Sequence, residues 1–296
     1  MASAQDYKRR IRSVRNTRKI TRAMELVAAA KLRRAQTRIE AMRPYADTMS
    51  ELISGVGRAA GSVRSLPLLQ QRETISSTLI VPLTGDRGLA GAFNAQVTRR
   101  AFALERRVQG EGQQVRWLAV GKKGRSTLTF RRRTLDGAFV GFTDAPAYAD
   151  AQAIAHRAAE LFVEGEVDRV VLVYNTFVSA LTQTVTEQEI LPISADILES
   201  GEQERRDDAL RGDFIFEPEP EQILERLLPV YVETQLYRAL LESSASEQGA
   251  RMTAMRNASK NAGEMIDRLS LEMNRARQAE ITQEILEVVA GADALT

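Results

Sequence analysis

Cysteine is absent from the 296-residue chain, and histidine occurs once, as His156. Disulfides, thiolate zinc sites, iron–sulfur clusters and cysteine nucleophiles are thereby excluded, and a histidine-rich metal site or proton relay has too few residues to form. Aromatic residues make up only 5%, which together with abundant Ala, Leu, Glu and Arg favours long helices over a β-rich globule. No apolar run approaches the roughly 20 residues a membrane span needs. Proline is sparse, and residues 1–43 and 230–296 have none. A proline in a helix interior costs about 3 kcal/mol or more, so these two segments are free to form very long helices.

The net charge of +2 conceals an asymmetry. Residues 1–45 hold 13 Lys and Arg against three acids, Asp6, Glu25 and Glu40, leaving 28 basic and 36 acidic residues for the remainder. A basic arm on an acidic body implies an anionic partner for the arm. A nucleic-acid arm is one candidate, but apart from Tyr7 no aromatics interleave with the cations, which weakens a stacking mode. An Arg-rich transit peptide is another, yet the apolar pattern continues unbroken through residue 42. The basic face of a long structural helix accounts best for the composition.

Periodicity supports two such helices. In the first, Ser3 and Asp6 resemble a capping box, and Ile11, Val14, Ile20, Met24, Val27, Ala28, Ala35, Ile39 and Met42 recur mostly at gaps of three, four or their sum. Gly55 and Gly57 mark its expected end, and residues 62–72 read as a linker. In the last segment, positions 255, 259, 262, 266, 269, 273, 276 and 280 alternate by four and three, a heptad seam with small residues mixed in. Leu227, Tyr231, Leu236, Leu240 and Ala245 extend an apolar stripe upstream, and Gly249 and Gly263 mark close approach of another backbone. A helix from about 221 to 290 would be about 100 Å long at about 1.5 Å per residue.

The middle differs. Residues 75–81, 115–120 and 170–174 are short β-branched runs, with helical stretches at about 91–109 and 148–164 between them. Strand–helix alternation implies a parallel sheet with covering helices. Residues 182–190 read as a polar edge strand and 199–213 as a charged surface loop. The expected fold is therefore α/β, a long antiparallel coiled coil of N- and C-terminal helices with an inserted Rossmann-like α/β domain. The expected division is 1–58 for the first helix, 68–218 for the α/β domain and 219–296 for the last helix.

The turn Thr84–Gly91 (TGDRGLAG) follows the first strand and opens a helix. Its glycines at 85, 88 and 91 are spaced G-x-x-G-x-x-G, not G-x-G-x-x-G, and no P-loop lysine follows. A phosphate-binding turn is one reading. A tight strand-to-helix turn, with Gly85, Asp86, Arg87 and Gly88 in a structural or interface role, is the favoured one. His156 sits among alanines with no second ligand at metal spacing and reads as a satisfied helix histidine. No Ser–His–Asp set, paired catalytic carboxylates or H-E-x-x-H motif can be assembled.

Three stretches taken together carry a resemblance: residues 11–31 (IRSVRNTRKITRAMELVAAAK), the Gly85–Gly91 turn, and residues 276–292 (ARQAEITQEILEVVAGA). In order and near both termini, they closely resemble the gamma subunit of F-type ATP synthases. The resemblance implies a central-stalk rotor, non-catalytic itself, whose coiled coil turns inside a ring of alternating alpha and beta subunits. Its α/β domain would meet the epsilon subunit and the membrane c-ring. Proton flow would drive the beta subunits through their nucleotide states, with ATP, ADP and Mg held by partner subunits and no cofactor or nucleic acid bound by this chain. It implies a peripheral location on the cytoplasmic face of a bacterial plasma membrane. Carried over by matched motif, Arg18, Lys19, Arg22, Met24, Arg251, Arg277, Gln278, Thr282, Glu284 and Glu287 would contact beta subunits. Phe214 and Glu217 would lie near the c-ring and epsilon, although the family often has tyrosine at the position of Phe214. Ala90 stands where relatives often carry cysteine, and the lack of any cysteine excludes the dithiol control of chloroplast forms.

Overall fold

The computed structural model describes residues 3–59, 66–72, 74–194 and 219–293. The chain divides into two compact units, Met1–Ala29 with Arg251–Thr296, and Ala30–Ala250. Two helices, α1 (Ala4–Ala59) and the last helix of the chain, α5 (Pro220–Asp293), contribute to both.

In the first unit the two helices run antiparallel. The Ala4 amide donates to Glu280 Oε1 at 3.0 Å, Arg18 lies against Gly263, and Arg256 Nε meets Glu25 Oε1 at 3.1 Å. The start of α1 is capped as its sequence predicts. Ser3 N donates to Asp6 Oδ2, and Asp6 N donates to Ser3 Oγ, each at 3.3 Å. The Ala4–Glu280 bond satisfies a further amide that no helix can satisfy internally. On α5 the expected heptad positions from Met255 to Ala276 are buried or half-buried, whereas Glu280 is exposed. On α1 the observed ladder departs from the expected stripe. Ile11, Val14, Thr21, Glu25 and Ala28 face inward, while Ile20 and Val27 are 60% and 56% exposed. Steps of three and four from Ile11 lead through residue 18 to Thr21 and Glu25, so polar side chains occupy seam positions and apolar ones flank them. Gly263 meets the guanidinium of Arg18, at 3.6 Å from where a Cβ would sit, and not another backbone.

The second unit is an α/β layer structure. Strands β1 (Ser77–Pro82), β2 (Gln114–Val120), β3 (Gly137–Phe139), β4 (Arg169–Phe177) and β5 (Gln183–Leu191) form one sheet in the order β3-β2-β1-β4-β5. The first four in that order are parallel, and β5 is an antiparallel edge. Helices α2 (Phe93–Gly110), α3 (Lys122–Phe130) and α4 (Tyr148–Val163) connect them. Parallel strands covered on both faces read as continuous apolar runs, and the strand alternation sorts them. Ile80, Trp117 and Val171 join Val97, Leu104 and Leu128 in one core. Leu79, Val81 and Leu118 join Ile154, Leu161 and Phe162 of α4 in the other. This second core also takes Met49, Ile53 and Val56 from α1 and Leu224, Leu228, Val232 and Leu236 from α5. The long helices are thus structural members of the α/β unit.

Two local readings change, and a third holds with its partner now specified. Helix α1 continues through Pro44 and beyond Gly55 and Gly57 to Ala59, because Ile53 and Val56 are anchored in the core. Within the stretch read as a linker, Pro67–Leu69 forms a 3-10 turn whose Leu68 and Leu69 are buried in that core. Gly249 does meet a backbone, but it is the loop after β4: a Cβ there would lie 3.2 Å from the Ala180 carbonyl oxygen. Helix α3 and strand β3 are additional elements. The loop at 199–213, with Phe214 and Glu217, lies outside the described residues.

Glu25 is the polar centre of the helix pair. Burial pushes its carboxyl up, but hydrogen bonds from Arg256 and Arg22, with their charges, outweigh that and hold it below the usual range. Its folded value therefore lies below an unfolded value of about 4.3. Its contribution is complete above that value and is lost as pH falls through the folded one. We expect Glu25→Gln to lower the melting temperature of the chain at neutral pH by about 2–4 °C. The gap to wild type should close in acid, as circular dichroism melts across the pH range would show.

Candidate functional site

The C-terminal ends of the parallel strands are where an open α/β sheet ordinarily holds a ligand, at the point where strand order reverses. Here that point lies between β1 and β4, and β1 runs into the Thr84–Gly91 turn. The first residues of the turn, Thr84 to Asp86, are engaged by the protein itself. Thr84 Oγ1 donates to the Val120 carbonyl at 2.7 Å and accepts from the Gly124 amide at 2.8 Å. Gly121, at φ +87°, permits this approach, since a Cβ would stand 2.0 Å from the Thr84 carbonyl oxygen. The Gly85 amide donates to Asn94 Oδ1 at 2.8 Å, and the Asp86 amide to Thr143 Oγ1 at 2.9 Å. The Asp86 carboxylate accepts from the amides of Lys122, Gly141 and Thr143 and from the Thr143 hydroxyl, at 2.8–3.1 Å. Burial pushes this carboxyl up, but the four bonds hold it below its ordinary value. Asp86 thus ties the loops after β2 and β3 to the end of β1. Arg87 is exposed and its carbonyl accepts from Asn94; Gly88 lies beside Lys123.

The remaining space is filled by α5. Its segment Ser243–Gln248 (SSASEQ) is buried throughout, and its side chains reach the strand ends. Ser246 Oγ donates to the Asn175 carbonyl at 3.0 Å, Ser244 Oγ to that of Asp144 at 3.3 Å, and Ser243 Oγ to that of Leu83 at 3.5 Å. The carboxyl of Glu247 sits where Gly85 lacks a side chain, 2.7 Å from a Cβ built there. The amides of Gly85 and Asp86 are committed to Asn94 and Thr143, and the crevice is occupied by the chain's own helix. The turn is a docking platform for α5.

His156 Nε2 lies 3.3 Å from the buried carboxylate of Glu233, which also accepts from Tyr148 Oη at 2.7 Å. No cluster of three or more metal-ligating side chains occurs among the described residues. Nor is any helix among them long and apolar enough to cross a membrane.

The helix-pair unit carries a second feature. Lys8, Arg12, Arg15 and Lys19 of α1, with Arg277 of α5, line a shallow groove that no carboxylate lines. Arg18 and Arg22 are exposed beside it, and Met24 is half-buried. Gln278, Thr282, Glu284 and Glu287 are exposed on α5, where Ile281, Ile285, Leu286, Val288 and Val289 are also 48–72% exposed. Arg251 differs from the rest at 7% exposure, so little of its guanidinium is open to another chain. Glu25, Asp144, Glu233 and Glu247 were not singled out from the sequence. The signal available for the last was a polar run, SSASEQ, interrupting an apolar helix.

Comparison with known proteins agrees with this architecture. Residues 3–295 match the family model described as ATP synthase. An ATP synthase gamma chain of Rubrobacter xylanophilus is 45% identical over 295 residues, covering all of this chain and 99% of the relative. One from Moorella thermoacetica is 46% identical over 297 residues, with both chains fully covered. A solved structure of the central stalk and c-ring of Tetrahymena thermophila mitochondrial ATP synthase contains a chain 31% identical to this one. The match has a TM-score of 0.58 and covers 81% of this chain and 99% of that one. Fold and full-length similarity together place the chain in one family: it belongs to the gamma chains of ATP synthase.

The docking of α5 on the turn makes a direct prediction. Glu247 is 2% exposed and cannot swing clear of a new methyl group. Gly85→Ala should destabilise the chain by about 1–3 kcal/mol in urea unfolding. Adding Glu247→Ala to it should cost less than the two single losses combined, because the clash is removed.

Proposed function

We propose that this chain is the central-stalk rotor of a proton-driven ATP synthase, turning inside a ring of alternating alpha and beta subunits and standing on the epsilon subunit and the membrane c-ring. The observation that carries the reading is the helix pair. Its α1 side presents a cationic groove free of carboxylates, and its α5 end leaves a run of large apolar side chains exposed. A free protein gains nothing from either, whereas an enclosing sleeve with acidic loops and an apolar lining would cover both. In this reading residues 1–58 and 219–296 form the shaft and 68–218 the foot. Arg18, Lys19, Arg22, Met24, Arg277, Gln278, Thr282, Glu284 and Glu287 face beta subunits, and Arg251 supports that face from within the seam. Phe214 and Glu217 belong to the side toward the c-ring and epsilon.

The chain is a non-catalytic subunit. Nucleotide and Mg belong to the partner subunits, and the location is peripheral, on the cytoplasmic face of a bacterial plasma membrane. An asymmetric rod acts by touching each surrounding site differently, so that rotation shifts each site's population among its states in turn.

The chain should co-purify as one copy with three alpha and three beta subunits, and the isolated chain should show no ATPase turnover; robust turnover from the pure chain would contradict the reading. Met24→Lys adds a cation beside Arg18, Lys19 and Arg22. It should lower ATP-driven proton pumping by roughly threefold or more while assembly is retained, and unchanged pumping would remove Met24 from the coupling face.

A further inference from the structure

A shaft and a foot on one chain work together only if they cannot slip past one another. Apolar packing resists separation but is non-directional, so it opposes sliding of a helix across a sheet edge less than bonds of fixed direction do. Directional bonds to both long helices meet at one side chain, Asp144, in the loop between β3 and α4. Its carboxylate pairs with Lys31 of α1 through Oδ2. It accepts from Gln248 Nε2 of α5 at 2.6 Å through Oδ1. Its carbonyl accepts from Ser244 of α5. One residue earlier, Thr143 is bonded through both its amide and its hydroxyl to Asp86 at the end of β1. A single loop thus grips both long helices and the central strand. Gln248 is 1% exposed, and the side chains on either side of the Lys31–Asp144 pair are two-thirds buried.

We propose that Asp144 is the positioning residue that keys the α/β unit to both long helices and transmits torque between them. The proposal rests on the rotor reading. Lys31 and Gln248 approach the same carboxylate from separate helices, so displacement of either helix against the loop strains its own bond. Part of the load then passes through Thr143 and Asp86 into β1. A residue needed only for folding would show its effect in stability, whereas a key shows it in the ratio of work to turnover.

The test uses the complete complex of this chain with its own alpha, beta, epsilon and c-ring subunits in sealed vesicles. ATP hydrolysis and proton pumping are measured on the same preparation. Asp144→Ala should assemble, keep the melting temperature of the complex and hydrolyse ATP at the wild-type rate, while protons pumped per ATP fall by about threefold. Asp144→Asn, which keeps an acceptor for Gln248 but loses the ion pair, should fall in between. Asp144→Lys should be as impaired as Asp144→Ala, and adding Lys31→Asp should restore part of the pumping. An unchanged ratio in Asp144→Ala would overturn the proposal. So would a loss of pumping that only follows lost assembly or a lowered melting temperature. A wild-type complex that hydrolyses ATP and pumps nothing would overturn the rotor reading itself, a result distinct from failure of the key alone.

Discussion

Neither long helix can bury its apolar stripe alone, and the rest of the structure follows from how that need is met. A lone helix in water draws little stability from propensity and depends on a packed face. In the helix-pair unit each helix supplies that face for the other. In the α/β unit the sheet supplies it, taking Met49, Ile53 and Val56 from one helix and Leu224 to Leu240 from the other into a core shared with α4. The same physical requirement is satisfied by two different partners along a single helix. This explains why α5 changes character along its length, from Leu-rich to serine- and glutamate-bearing to small-residue heptads.

The sheet's crevice shows how a strand order that often receives a ligand can receive a part of the chain's own last helix. The strand order is that of many nucleotide-binding domains, whereas the turn is spaced G-x-x-G-x-x-G and no P-loop lysine follows it. Asp86, Thr84 and Asn94 take the amides of Lys122, Gly141, Thr143, Gly124 and Gly85, and Glu247 fills the space above Gly85. Function here resides in what the turn holds, which is another part of the chain.

Much of this was legible in advance. The absence of proline from both terminal segments, the heptads from Met255 and the β-branched runs at 75–81, 115–120 and 170–174 were sufficient for two long helices and a parallel sheet. What stayed hidden on α1 has one cause: polar residues in apolar positions. Thr21 and Glu25 on the α1 seam disguised the ladder and drew attention to Ile20 and Val27, which face outward. Leu68 and Leu69, short and flanked by loop-like sequence, gave no periodicity to read, yet both are core. Helix α3, with Lys122, Lys123 and Arg125 in a nine-residue span, carries too few apolar residues to announce itself and is fixed by Leu128 and by the approach of Gly124 to Thr84. The partners of Asp144 lie 113 and 104 residues away, a separation that no local pattern records.

The uncovered tip of α5 has a bearing on how a cell must manufacture this polypeptide. Ile281, Ile285, Leu286, Val288 and Val289 lie within nine consecutive positions, each about half or more open to water. A copy released from the ribosome with nothing to receive that tip exposes a sticky end that invites self-association. Surplus synthesis would therefore be hazardous, and matched production alongside whatever encloses the tip becomes a requirement imposed by the tip's own chemistry.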